Sequence, residues 1–188
     1  MDLIAQPPQS DGVNATTLAR IFDDVTNSYK FLFFLALLDN AERNLFDASI
    51  PISLNEIVLD MLVLAWYPHV YFRLSFGKQD QIASQLDKAA PLNLVVERSI
   101  RPWDKKAIRN LISSTASGGN LSRFVPYRLI RPFFPETRGM KKDHAVNMRV
   151  AEMCDEYFPS GRPPYRFDQS RSNILLHPVW SIYMKQNL

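Results

Sequence analysis

Apolar residues recur along this chain mostly at helical spacing, and the breaks between apolar stretches are marked by proline, glycine and asparagine. Residues 1–15 read as a loose leader broken at Pro7-Pro8 and Asp11-Gly12. The segment TLARIFDDVTNSYKFLFFLALLDNAERN that follows contains neither proline nor glycine. It predicts two helices parted near Asp24–Asn27, with Thr26 or Asn27 capping the second, which runs through Leu38. The second helix is apolar almost all round and is expected at the centre of the domain. ISLNEIVLDMLVLAWYP predicts a third helix, opened by a Ser53-x-x-Glu56 capping box and stopped by Pro68.

FGKQDQIASQLDKAAP predicts a more polar helix ending before Pro91, and Asn93–Glu97 (NLVVE) a short strand or a connector. SIRPWDKKAIRNLISSTASGGN predicts a helix with Pro102 in its first turn, fading into a loop over Ser113–Asn120. VPYRLIRPFFPETRGMKK, from Val125 to Lys142, is expected in extended and turn conformations. Asp143 is the expected N-cap of HAVNMRVAEMCDEYF. PSGRPPYRFDQSRSN is expected as a loop, ILL as a strand fragment and PVWSIYMKQNL as a final helix. No repeat and no low-complexity tract interrupts this order. The fold class is therefore mainly α: an irregular helical domain with a Pro/Arg/aromatic-rich loop section and at most short strands.

Composition narrows the class. The 46% hydrophobic content of 188 residues is enough for a buried core. The longest apolar run, FLFFLALL, spans eight residues, against the roughly 20 a membrane helix needs, so no membrane association is expected. The opening MDLIAQPPQSDG lacks a basic region followed by an apolar one, and no signal peptide is expected. The single cysteine, Cys154, excludes an internal disulfide and a multi-cysteine zinc site, which agrees with a cytoplasmic setting.

Charge is the feature that points to a partner. Residues 1–97 hold 6 Lys/Arg and 12 Asp/Glu, a balance of −6, while residues 98–188 hold 16 and 7, a balance of +9. One compact unit with an acidic helical portion (1–97) and a basic helical and loop portion (98–188) is the expected organisation. The basic portion suits a polyanion, unless it simply faces the acidic half of its own chain.

Two clusters carry most of that excess. In the helix after Pro102, Lys105, Lys106 and Arg109 share a side opposite Trp103, Ala107, Ile108, Leu111 and Ile112, and Arg98 and Arg101 extend the patch backwards. This is either a solvated helix face or a face that tracks phosphates. The stretch from Val125 to Lys142 holds three prolines, three aromatic rings, five cations and one carboxylate, Glu136. Arg123, Arg128, Arg131 and Arg138 alternate there with Phe124, Tyr127, Phe133 and Phe134, and Lys141, Lys142 and Arg149 continue the series. Guanidinium forks suit phosphate oxygens and base edges, and rings can stack on unpaired bases. Equally, rings beside prolines plug loops onto cores while the arginines pair with acidic neighbours.

Catalytic chemistry is hard to find. His69, His144 and His177 are scattered, with no HxxxH, HExxH or CxxC pairing. Gly118-Gly119 lacks the context of a phosphate-cradling loop, no G-x-S-x-G elbow is present, and helix capping explains Asp23-Asp24 better than catalysis does. No active site and no cofactor is expected in these residues.

ARIFDDVTNSYKFLFFLALLD (Ala19–Asp39), EIVLDMLVLAWYPHVYFRLSFGKQDQI (Glu56–Ile82), and the later FVPYRLIRPFF, RGMKK and PPYRF resemble the N-terminal region of bacterial proteins carrying an HNH endonuclease domain. Among these, the resemblance extends to the HNH-bearing large subunit of a type I-F CRISPR Cascade complex. It implies a DNA-binding body, itself non-catalytic, that recognises a protospacer-adjacent motif on duplex DNA beside guide RNA and other Cascade subunits. The catalytic HNH module and its divalent metal are expected outside this chain, because its His and Asn metal-finger pattern is missing here. The alternatives are the N-terminal domain of a standalone HNH restriction or defence endonuclease, and a protein-interaction scaffold.

Overall fold

A 17-residue helix, Leu54–Val70, is the piece around which the others gather. The computed structural model describes residues 7–8, 10–23, 28–74, 76, 81–89, 104–115 and 121–188. Their elements run in the order α1 (Ala15–Arg20), α2 (Tyr29–Arg43), β1 (Ile52–Ser53), α3 (Leu54–Val70), α4 (Gln81–Ala89), α5 (Lys105–Thr115), α6 (Leu121–Ile130), α7 (Asp143–Tyr157), β2 (Tyr165–Phe167), β3 (Asn173–Leu176) and α8 (Pro178–Asn187). The fold is mainly helical, with one small antiparallel sheet in the strand order β1-β3-β2.

Leu54, Ile57, Val58, Met61, Leu62, Ala65 and Trp66 recur at three- and four-residue steps and are all buried, so α3 meets α2, α4, α5, α6 and β1 together. The central position expected for α2 belongs to α3 instead. α2 buries Phe33, Ala36, Leu37 and Ala41 but leaves Phe31 and Leu35 outward at 44% and 49% exposure, and it continues past Leu38 to Arg43. A single buried cluster runs from Val13 to Met184 and takes residues from both the acidic and the basic portions.

Pro68 does not stop α3. Its missing N–H falls in the last turn, where little of the ladder is left, and buried Trp66 and Val70 hold the chain helical through Val70. The expected capping box is not formed either. Ser53 makes no side-chain cap bond; it lies in β1 opposite Asn173, and the first helical N–H, of Leu54, donates to Ser172 O at 2.9 Å. At α5 the cap is Asp104, whose Oδ1 accepts from Ala107 N at 2.9 Å. Asp143 falls one position inside α7, after Lys142 at the cap. Thr26, Asn27, Asn93–Glu97, Pro102 and Trp103 lie outside the described residues.

The Val125–Lys142 stretch departs most from expectation. Its first part is helical: α6 continues through Pro126, because Leu121, Val125 and Leu129 form a buried stripe at four-residue spacing that outweighs the lost hydrogen bond. The Pro126 carbonyl receives the Tyr165 hydroxyl at 2.6 Å. Two 3-10 turns follow, Arg131–Phe133 and Pro135–Thr137, each with proline in its first two positions, where no N–H is needed. Residues 159–173, expected as a loop, contain β2 instead, with Tyr165 and Phe167 inward and Arg166 between them.

The three rings of the stretch are core residues. Tyr127 stacks on Phe167 with centroids 4.3 Å apart, and Phe133 meets Trp180 edge-on at 5.4 Å. Phe134 is completely buried. These rings have the packing role, and their faces are closed to a base.

Candidate nucleic-acid interface

The fold sorts the basic side chains into those consumed inside the molecule and those left outside. Arg109 turns inward from α5 and donates to Asp60 and Glu56 of α3. Asp60 is buried and also accepts from Arg43 and, at 2.8 Å, from Asn40 Nδ2, so one carboxylate ties α2, α3 and α5 together. For Arg109 the pairing with the chain's own acidic half is the outcome, and it is withdrawn from any phosphate-tracking face. Arg149 pairs with Glu152 one turn along α7 at 3.1 Å. Arg98 and Arg101 lie outside the described residues.

Arg128 and Arg131 have mixed duties. Arg128 donates to Asp143 at 3.2 Å and to the Tyr29 hydroxyl at 3.5 Å, while its guanidinium covers the Phe124 ring. Arg131 donates through Nε to Thr137 Oγ1 at 3.2 Å, and through Nη2 to the carbonyls of Thr137 at 2.8 Å and Met140 at 3.3 Å. It braces the two 3-10 turns against each other, using neutral acceptors throughout. Its charge is half-buried and meets no carboxylate among the described residues.

Six expected cations remain outward. Lys105, Lys106, Arg123, Arg138, Lys141 and Lys142 are exposed, and their side chains make no hydrogen bond or ion pair with a described residue. Three of them, Arg138, Lys141 and Lys142, belong to the short connection between the second 3-10 turn and α7. Gly139 turns that connection at φ +81, with open space where a Cβ would be. The two nearby carboxylates are taken by other arginines, Asp143 by Arg128 at 3.2 Å and Glu136 by Arg162. Glu136 does not neutralise the connection. It is bound by both oxygens to Arg162 Nη2 at 2.9 Å, and its own backbone N–H and then Arg162 hold it below the usual carboxylate range.

Behind this connection lies a cleft of about 690 Å³. Arg128, Arg131 and Arg138 line one part of it, and Arg20 and Lys30 another, with Asp23 and Asp143 as the acidic residues. Arg20 and Lys30 carry no such signal in the sequence, because they sit in the half whose balance is acidic. Lys30 is fixed by donation to the Ile21 carbonyl at 3.1 Å, and Tyr29 is placed beside it by the start of α2. A smaller recess of about 410 Å³ surrounds the Asp60 network and carries Lys105 and Lys106 on its edge.

Among the described residues no group of three or more His, Cys, Asp and Glu side chains is placed to hold a metal. His69 Nε2 lies 2.8 Å from Asp87, His177 Nδ1 accepts from Val179 N at 3.2 Å as the cap of α8, and His144 is exposed. Among the described residues no helix is long and apolar enough to cross a membrane. No family model matches this chain, and no curated protein or solved structure matches it.

Proposed function

We propose that this chain binds duplex DNA through its phosphate backbone and has no cleavage chemistry of its own. The observation that carries the reading is the exposed, unneutralised set Arg138, Lys141 and Lys142, with Arg123 as a fourth solvent-facing cation. Lysine and arginine held at a surface without carboxylates release condensed counterions when they meet phosphates, and that release drives sequence-independent affinity. The sequence resemblance supports the finer form of the same reading. In that form the chain is the body of a Cascade large subunit, reading a protospacer-adjacent motif beside guide RNA and other subunits, with an HNH nuclease module attached. The alternative of a standalone HNH restriction or defence endonuclease uses the same backbone contacts.

The test is duplex affinity measured by anisotropy over a series of salt concentrations. Lys141→Ala with Lys142→Ala and Arg123→Ala is expected to weaken binding and flatten the salt dependence, and an unaltered slope rejects the proposal.

A scaffold reading draws on a different surface. Tyr67, Tyr71 and Phe72 form an aromatic cluster at the end of α3, with centroids 5.1 and 5.2 Å from Tyr67 and exposures of 42%, 44% and 61%. Leu74 adjoins them in sequence at 54%. Rings gathered on a surface are the composition of a protein contact. Copurifying RNA and protein would favour the guide complex, and copurifying protein without nucleic acid would favour the scaffold.

A further inference from the structure

The cleft behind the Arg138–Lys142 connection has a shape and charge that a duplex backbone does not explain. Phosphodiesters of a duplex lie on a convex surface, whereas this site is a concavity of about 690 Å³, within the usual ~300–1,000 Å³ of small-ligand pockets. Five cations against two carboxylates leave an excess of three positive charges on its walls. The five come from four parts of the chain: Arg20 from α1, Lys30 from α2, Arg128 from α6, and Arg131 and Arg138 from the segment after it. Converging cations of this kind repel one another, and among the described residues the one arginine of the cleft with a counter-ion is Arg128, through Asp143.

Arg131 is the decisive residue. Arg43, Arg109 and Arg162, three arginines anchored across the fold, each reach a carboxylate. Arg131 is held as firmly, by three hydrogen bonds, yet all three go to uncharged oxygens, and its Nη1 is not engaged in them. A half-buried guanidinium fixed in orientation, with a donor to spare and no anion, is a pre-organised anion receptor. Arg20 and Arg138 add two exposed guanidinium groups with no hydrogen bond or ion pair to a described residue.

We propose that this cleft is a binding site for a phosphate monoester, with Arg131 as the fixed donor and Arg20 and Arg138 closing on the same group. A monoester presents three terminal oxygens and, above its second pKa near 6, close to two negative charges. That suits converging forks better than the single charge of an internal diester. The shared chemistry has two sources: a free nucleotide, or the phosphorylated end of a nucleic-acid strand. The site rests on the cleft alone and stands whether or not duplex DNA binds at the surface cations.

The test is calorimetric titration of the whole chain with a nucleoside 5′-monophosphate, the matching nucleoside and inorganic phosphate. Saturable binding of the monophosphate is expected, with none of the nucleoside. Affinity should fall as the pH drops below about 6 and the dianion is protonated. Arg20→Glu and, separately, Arg138→Glu should each weaken the monophosphate about tenfold or more, at unchanged circular dichroism. Lys141→Ala with Lys142→Ala should leave it within about twofold, although the same pair weakens duplex binding; charge removed outside the cleft acts only through screened fields. A short single strand with and without a 5′-phosphate separates the sources. Preference for the phosphorylated strand assigns a strand end, and preference for the mononucleotide assigns a free ligand. No saturation by any phosphate, or equal losses from the cleft and Lys141/Lys142 variants, overturns the site.

Discussion

Arg109 of α5 donates into the buried carboxylate of Asp60 on α3, 49 residues away in the chain, and the same carboxylate receives Arg43 and Asn40 from α2. One acidic side chain thus holds three helices, and one of the expected DNA contacts is spent on the fold. Removing Asp60 leaves Arg43 without its ion-pair partner and Arg109 with Glu56 alone. Asp60→Ala is expected to lower unfolding free energy by about 2–4 kcal/mol, the smaller end reflecting the partial exposure of both guanidiniums. Glu152→Ala, which breaks the exposed pair with Arg149, should cost less than about 0.5 kcal/mol. Urea denaturation of the two variants checks the contrast; equal losses would remove the network's special role.

The same sorting predicts which cations matter for DNA. Each cation that neutralises a phosphate adds about 0.9 to the slope of log affinity against log salt. Lys141→Ala, Lys142→Ala and Arg123→Ala should therefore each flatten the slope by up to that amount. Arg109→Gln should leave the slope unchanged and appear as reduced stability instead. A flattened slope from Arg109→Gln, with none from the lysines, would place the DNA-binding face elsewhere.

His177 caps α8 as a neutral acceptor. Its Nδ1 takes the Val179 N–H at 3.2 Å, Phe158 stands edge-on to the ring at 5.0 Å, and the position a Cβ would take on Gly161 is 3.1 Å from Cε1. Burial holds its pKa below the ordinary 6.5. The unfolded chain therefore takes up the proton first. The contribution is complete above pH 6.5 and is lost as pH falls from there through the folded value. Thermal melts across that range should show stability declining with pH. The decline should be smaller in His177→Asn, which keeps a capping oxygen and loses the titration. Parallel curves for the two proteins would rule this out.

Cys154 lies fully buried in α7, and burial pushes its thiol pKa well above the ordinary value. It should resist thiol reagents in the folded chain and react only through opening, so its modification rate should rise with denaturant in step with unfolding. Rapid labelling under native conditions would contradict the packing described for α7.

The helical class, the presence of α4, the final helix and the strand character of ILL were all legible in local pattern. Apolar spacing and breaker residues act within one or two turns. Local reasoning failed where distant packing outweighed it. Pro68 and Pro126 are breakers by propensity, yet both lie inside helices whose flanking side chains are buried. Ser53 and Glu56 have capping-box spacing, but one lies in a strand and the other pairs with Arg109. β1 and β2 are too short to announce themselves, since each is a strand only because β3 lies beside it.

By itself, the order of residues determined a mainly helical chain with an apolar core, a cationic second half, and no recognisable catalytic or metal signature. Tertiary structure alone decided what the cations do. Arg109 is consumed by Asp60, Arg128 reaches Tyr29 across 99 positions, and Arg20 and Lys30 join a basic cleft although they belong to the acidic half. Charge counts are additive along a sequence, but pairing depends on distances of a few ångströms that only folding creates. A residue's availability to a phosphate is therefore a property of its neighbours in space.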